Sequence, residues 1–145
     1  MLEFGYCIWL SPVSDCELYS ICKDFNPHIS LITQLEKNIG LEYISNIKKN
    51  NIHIKIIDIP VVTIESGFNA LQFNVKIVNN ADFPLNPQEP HISFIYKYDT
   101  NISINEINEI KNKIDFNKIY TFNNYKLMCC NGHYNNWHEI IEYLV

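Results

Sequence analysis

What this sequence lacks narrows its roles before any motif is read. No apolar run reaches the roughly twenty residues needed to cross a bilayer. Met1-Leu2-Glu3-Phe4 also lacks the basic start of a secretory signal, so export and membrane insertion are not expected and a cytoplasmic location is. Basic charge is not in surplus: 11 Lys and Arg stand against 16 Asp and Glu, a net charge of -5. A protein that coats a long nucleic acid meets the polyanion with a basic face, so that class is disfavoured. A small anionic ligand in a local pocket stays compatible with this balance. The five cysteines are an odd number, and without an export signal they read as reduced thiols rather than a disulfide framework. Glycine and alanine are scarce beside abundant Asn, Ile and Lys, a bias that an AT-rich coding sequence produces and that carries no functional inference.

What is present is enough for one globular domain. The 145 residues are 47% hydrophobic and 19% charged, which supports a real core and a single domain over residues 1–145, expected to be a monomer. The chain is organised around two copies of one phrase, about sixty residues apart. These are Pro27-His28-Ile29-Ser30-Leu31-Ile32 and Pro90-His91-Ile92-Ser93-Phe94-Ile95. Each follows a proline, is rich in β-branched residues and reads as a buried strand. On a strand, residues i and i+2 share a face, so each copy puts an imidazole beside a hydroxyl. Ile29 and Leu31, or Ile92 and Phe94, then face helices on the other side.

The remaining elements are read from periodicity and punctuation. A first strand spans Leu2 to Leu10, with Leu2, Phe4, Tyr6, Ile8 and Leu10 on one face and Gly5, Cys7 and Trp9 on the other. The capping-box spacing Ser14-Asp15-Cys16-Glu17 opens a helix over about 14–25 that buries Leu18, Ile21, Cys22 and Phe25. A second helix covers Gln34 to Asn50 through Leu35, Ile39, Tyr43 and Ile47, with Gly40 weakening it by about 1 kcal/mol relative to alanine. Two strands, Ile52–Ile64 and Ala70–Val78, form a hairpin, with Pro60 at an edge or bulge. A proline loop over 79–90 leads to the second His-Ser strand. Ser103-Ile104-Asn105-Glu106 caps a third helix that buries Ile104, Ile107, Ile110 and Ile114, with Lys111 and Lys113 near its C-terminus. Strands over Tyr120–Cys130 and Trp137–Val145 finish the chain as a hairpin. The order β-α-β-α-β-β-β-α-β-β, with one His-Ser strand in each half, predicts an α+β fold of two pseudo-symmetric lobes around a groove.

Two facing imidazoles can divide acid-base work. With ordinary pKa values near 6.5, one can be neutral and accept a proton while the other is charged and donates one. Phosphodiester cleavage needs that pair, because an alkoxide leaves poorly without a proton. Two serine hydroxyls can hold the non-bridging phosphate oxygens. The catalytic candidates are therefore His28, His91, Ser30 and Ser93, and this chemistry calls for no metal and no cofactor. Cys129, Cys130, His133 and His138 lie close in sequence, but adjacent cysteines lack the separation of zinc ligands, so no metal site is expected. Cys7, Cys16 and Cys22 read as packing residues, and His53 as a strand residue without a catalytic part. Asn101-Ile102-Ser103 is a glycosylation sequon that a cytoplasmic location makes irrelevant.

Paired His-x-Ser/Thr phrases, each inside an apolar strand and separated by about half a domain, resemble the signature of the two-histidine (2H), LigT-like phosphoesterases. The similarity covers nearly the whole chain in strand order, in the strand pair between the motifs and in the terminal hairpin. Its specific part is the two short motifs. The resemblance implies an acid-base pair of His28 and His91 with Ser30 and Ser93 as phosphate ligands. The small size and acidic balance resemble the viral members, which implies cleavage of a nucleotide second messenger in the host cytoplasm, such as cyclic GMP-AMP or 2′,5′-oligoadenylate. Two other readings stand beside it: opening of 2′,3′-cyclic phosphates at RNA or nucleotide ends, and sequestration of a nucleotide without cleavage. A nucleotide needs flat surfaces for its bases. The candidates are Tyr6, Trp9, Phe83, Tyr134 and Trp137, with Trp137 first because relatives often place an aromatic residue on the last strand beside the groove. Lys97 and Lys126 are candidates for added charge.

Overall fold

Alternating apolar residues build most of this chain into strands, and the computed structural model describes residues 3–22 and 24–145. Among the described residues there are seven strands: β1 (Tyr6–Pro12), β2 (Ile29–Leu35), β3 (Ile52–Glu65), β4 (Phe68–Ile77), β5 (His91–Tyr98), β6 (Tyr120–Cys129) and β7 (His138–Leu144). The helices are α1 (Leu18–Ile21), α2 (Lys37–Asn46) and α3 (Ile104–Lys113), with a 3-10 turn at Tyr134–Asn136. The class is α+β, dominated by one antiparallel sheet in the order β1-β2-β5-β4-β3-β6-β7. A further pairing of β1 with β6 closes the first six strands into a ring. None of the helices described is long and apolar enough to cross a membrane.

One face of the sheet forms the core. Ile8 and Leu10, Ile29 and Leu31, Ile92 and Phe94, Leu71 and Phe73, Ile52 and Ile54 meet Leu18, Ile44 and Ile110 from the three helices. Each such side chain removed from water contributes about 1.5–3 kcal/mol. The residues that alternate with these on β1, β2, β4 and β5 are turned the other way, and among them lie the side chains of the site. A register break opposite Leu71/Gln72 shifts the phase of β5, so Tyr96 joins Ser93 on that second face although simple alternation puts it with the core.

Several sequence expectations need correcting. Leu2 lies outside the described residues. β1 begins only at Tyr6, after Gly5 in the left-handed region (φ +67°), so Phe4 packs with Trp9's side rather than with Ile8. The first helix is a single turn, Leu18–Ile21, and no capping box forms at Ser14, because Glu17 occupies the N-cap and provides no side-chain cap. Leu18, Ile21 and Cys22 are buried as expected, whereas Phe25 is half-buried and joins the aromatic side. On α2 the buried stripe is one residue over: Gly40 and Ile44 face the sheet, while Ile39 and Tyr43 are exposed. A Cβ at Gly40 would sit 2.6 Å from Leu127 Cδ1, so the glycine allows helix and sheet to approach closely. On α3 the Ser103–Glu106 capping box is present, yet Ile104 is exposed and Ile110 is the buried residue of the helix. The hairpin turn is the pair Ser66-Gly67, both with positive φ, as a two-residue turn requires. Pro60 sits at the register break of β3 against β4, and β7 is a strand paired with β6.

Candidate functional site

The two repeated motifs meet at a single ladder position. β2 pairs with β5 antiparallel, with Ile29 opposite Ile92. His28 and Ser30 flank Ile29, and His91 and Ser93 flank Ile92, so alternation turns all four away from the core face. His28, Ser30, His91 and Ser93 all line one cavity of about 330 Å³.

The proline ahead of each histidine has a structural consequence. His28 Nδ1 lies 2.8 Å from the carbonyl oxygen of Asn26, and His91 Nδ1 lies 3.0 Å from that of Glu89. In each case the acceptor belongs to the residue before the proline, two positions back from the ring. A carbonyl oxygen only accepts, so both rings carry hydrogen on Nδ1, and Nε2 is the atom left to exchange protons.

The two rings differ in their surroundings. His28 is 4% exposed and stacks on Trp9 with ring centroids 3.4 Å apart and planes 5° from parallel. Burial, with the nearby charges of His91 and Lys126, pushes its pKa down to about 3, so it is neutral at any physiological pH. His91 is half-buried and lies nearer solvent. Ser93 is 6% exposed and sits beside Tyr96, whose hydroxyl burial drives well above the usual tyrosine range.

Of the five aromatic candidates, Trp9 and Trp137 line the cavity. Trp9 spends a ring face on His28, which makes it a clamp for the imidazole more than an open platform. Trp137 donates from Nε1 to the Gly132 carbonyl (3.1 Å) and meets Phe4, Trp9 and Tyr96 edge-on. Tyr6, Phe83 and Tyr134 do not line it. Tyr6 alternates onto the core side of β1, and Phe83 packs against the core and borders a separate polar hollow. Tyr134 stacks on Tyr98 next door, 5.8 Å between centroids. Lys97 is paired with Glu106 at 2.7 Å, on α3's side of β5. Lys126 is near His28 and 3.7 Å from Glu139.

Sequence reasoning missed Phe4, Glu65, Phe68, Gln72 and Tyr96, which also line the cavity. Gln72 is 9% exposed, sits opposite Ser93 on the neighbouring strand, and is a polar residue inside an apolar strand, the one signal that pointed to it. Three of the thiols are held protonated: burial raises the pKa of Cys16 and Cys22, and Cys130 is raised first by a hydrogen bond with Cys7 and then by burial. Among the described residues no three His, Cys, Asp or Glu side chains gather as metal ligands. His133 Nδ1 accepts from Asn135 N at 3.1 Å and His138 Nδ1 bonds the Asn136 carbonyl, so each ring serves its own turn.

Comparison with known proteins finds no matching family model, no matching curated protein and no matching solved structure.

Proposed function

We propose that this chain is a metal-independent phosphodiesterase of the two-histidine kind, cleaving a nucleotide second messenger such as a cyclic dinucleotide or 2′,5′-oligoadenylate. The observation that carries the reading is the pairing of Ile29 with Ile92, which directs two imidazoles and two hydroxyls into one cavity. The two-lobed arrangement belongs to this proposal. β1, β2, β6 and β7 form one lobe and β3, β4 and β5 the other; they join through one register pair between β2 and β5 and three between β3 and β6.

His28, neutral and hydrogen-bonded through Nδ1, accepts the proton of the attacking hydroxyl at Nε2. The attacker is the ribose hydroxyl next to the phosphate, or a water. Its oxygen forms the new bond to phosphorus as the bond to the 5′ oxygen breaks, and His91 Nε2 gives that oxygen its proton. Intramolecular attack leaves a cyclic phosphate on one product and a free 5′ hydroxyl on the other. An anionic diester between the rings offsets the burial and repulsion that hold His28 neutral, so the base strengthens when substrate is bound. Ser30 and Ser93 donate to the non-bridging oxygens, where charge grows in the transition state. The aromatic wall of Phe4, Phe68 and Trp137 offers the bases a stacking surface.

The test is a product assay with purified protein, cyclic dinucleotides and 2′,5′-oligoadenylate in the presence of EDTA. Cleavage that survives EDTA supports the reading, and intact substrate across the panel refutes it.

A further inference from the structure

Glu65 is the one residue of the cavity wall whose charge opposes the proposed substrate. It ends β3 directly opposite Phe68 and therefore shares a face with it, with Thr63 and with Ala70. Among the described residues lining the cavity it is the sole carboxylate, and none is a lysine or arginine. Its side chain is exposed at the end of the hairpin. The Ser66-Gly67 turn that follows has φ values of 50° and 79°, and Asp99 N–H donates to the Gly67 carbonyl at 2.7 Å, tying the tip to the end of β5. Phe68 beneath it packs edge-on against Phe4 at 5.5 Å between centroids.

A carboxylate at the mouth of a phosphodiester site repels the phosphate, so Glu65 is not a phosphate ligand. It is matched by a neutral group that offers hydrogen-bond donors. Beside an aromatic wall, that group is the edge of a stacked base. Guanine alone presents two adjacent donors, N1–H and the N2 amino group, in the side-by-side spacing of two carboxylate oxygens. Adenine and cytosine set an acceptor beside their amino group, and uracil flanks its one N–H with two carbonyls. We propose that Glu65 reads the Watson–Crick edge of guanine and makes this cavity selective for a guanine-containing nucleotide. The inference rests on the phosphodiesterase reading above.

The test measures binding of three dinucleoside monophosphates, guanylyl-guanosine, inosinyl-inosine and adenylyl-adenosine, to the uncleaving His91→Gln protein. Inosine keeps N1–H and lacks the N2 amino group. The expected order is guanine, then inosine, then adenine, with guanine ahead of adenine by about ten- to a hundredfold, the range for hydrogen bonds to a charged group. Adding Glu65→Ala erases the order by weakening the guanine ligand most, the inosine ligand less and the adenine ligand not at all. Glu65→Gln, which keeps the shape, loses most of the preference as well. Equal binding of all three, no binding of any, an order that persists in Glu65→Ala, or equal losses for guanine and adenine (the mark of a ribose contact) overturns the proposal. The two claims fail separately: cleavage of dinucleotides by the unaltered protein without base preference removes only the guanine assignment. A guanine preference without cleavage of any diester removes only the enzyme.

Discussion

Ile29 lies directly opposite Ile92 in antiparallel register, both fully buried, and the residues that flank them, His28 and Ser30 on one strand segment and His91 and Ser93 on the other, line one cavity. The two motifs are thus equivalent by construction and unequal by burial. Replacing His28 or His91 by Gln is expected to cut turnover by roughly 10²–10⁴-fold each, the usual contribution of a positioned acid or base. Affinity for a nucleotide diester is expected to change little. A calorimetric Kd beside a single-turnover rate separates the two quantities.

Replacement of Ser30 or Ser93 by Ala is expected to lower kcat by about 10–100-fold, less than a histidine change, because the proposed mechanism gives each hydroxyl only a share in stabilising the phosphate oxygens. Single-turnover rates on a cyclic dinucleotide check this. A loss seen only in KM would assign the serines to ground-state binding.

The depressed His28 pKa makes a pH prediction with a definite sign. The folded state holds this ring neutral down to about pH 3, whereas the unfolded chain protonates it near 6.5. Its contribution is fully present above pH 6.5 and is lost as pH falls from 6.5 towards 3, at up to about 1.4 kcal/mol per pH unit. Denaturant melts of the unaltered protein and of His28→Gln at pH 7 and pH 4.5 should show the smaller acid loss in the variant. Equal losses would mean the ring is not held neutral.

Trp9 and Trp137 line the same cavity and are expected to fail differently. Trp9→Leu frees the ring that stacks on it at 3.4 Å and should lower kcat. Trp137→Ala should raise KM by roughly tenfold or more with kcat kept, since stacking of a base on an aromatic ring is worth about 1–3 kcal/mol. Tyr6→Phe and Phe83→Leu should leave KM unchanged, as neither side chain lines the cavity.

Gly40→Ala is expected to destabilise the fold by about 1–3 kcal/mol through overpacking against Leu127, even though alanine is the better helix former. A thermal melt checks it, and a stabilised variant would show that α2 can move away from β6.

The strands and the two motifs were legible because their signals are local. Alternation gave the core faces of Ile8, Ile29 and Ile92, and the repeated Pro-His-x-Ser phrase named four residues that share a cavity. What stayed hidden depends on chain crossings. Tyr96 reaches the site only because a register break inverts the phase of β5, and Phe4 because β1 starts later than its pattern suggests. The α2 stripe was misread because Gly40 buries a position with no apolar side chain to mark it. Glu65 and Gln72 come from β3 and β4, brought to the histidines by strand order rather than by any spacing in the sequence.

The most direct test of the central claim is long-range ¹H–¹⁵N NMR of the imidazoles during titration with a 2′-deoxy dinucleotide, which lacks the attacking hydroxyl. Hydrogen on Nδ1 is expected in His28 and His91 alike, with both Nε2 signals shifting together and saturating at one ligand per chain. Movement of only one ring, or saturation at two separate affinities, would contradict a shared phosphate.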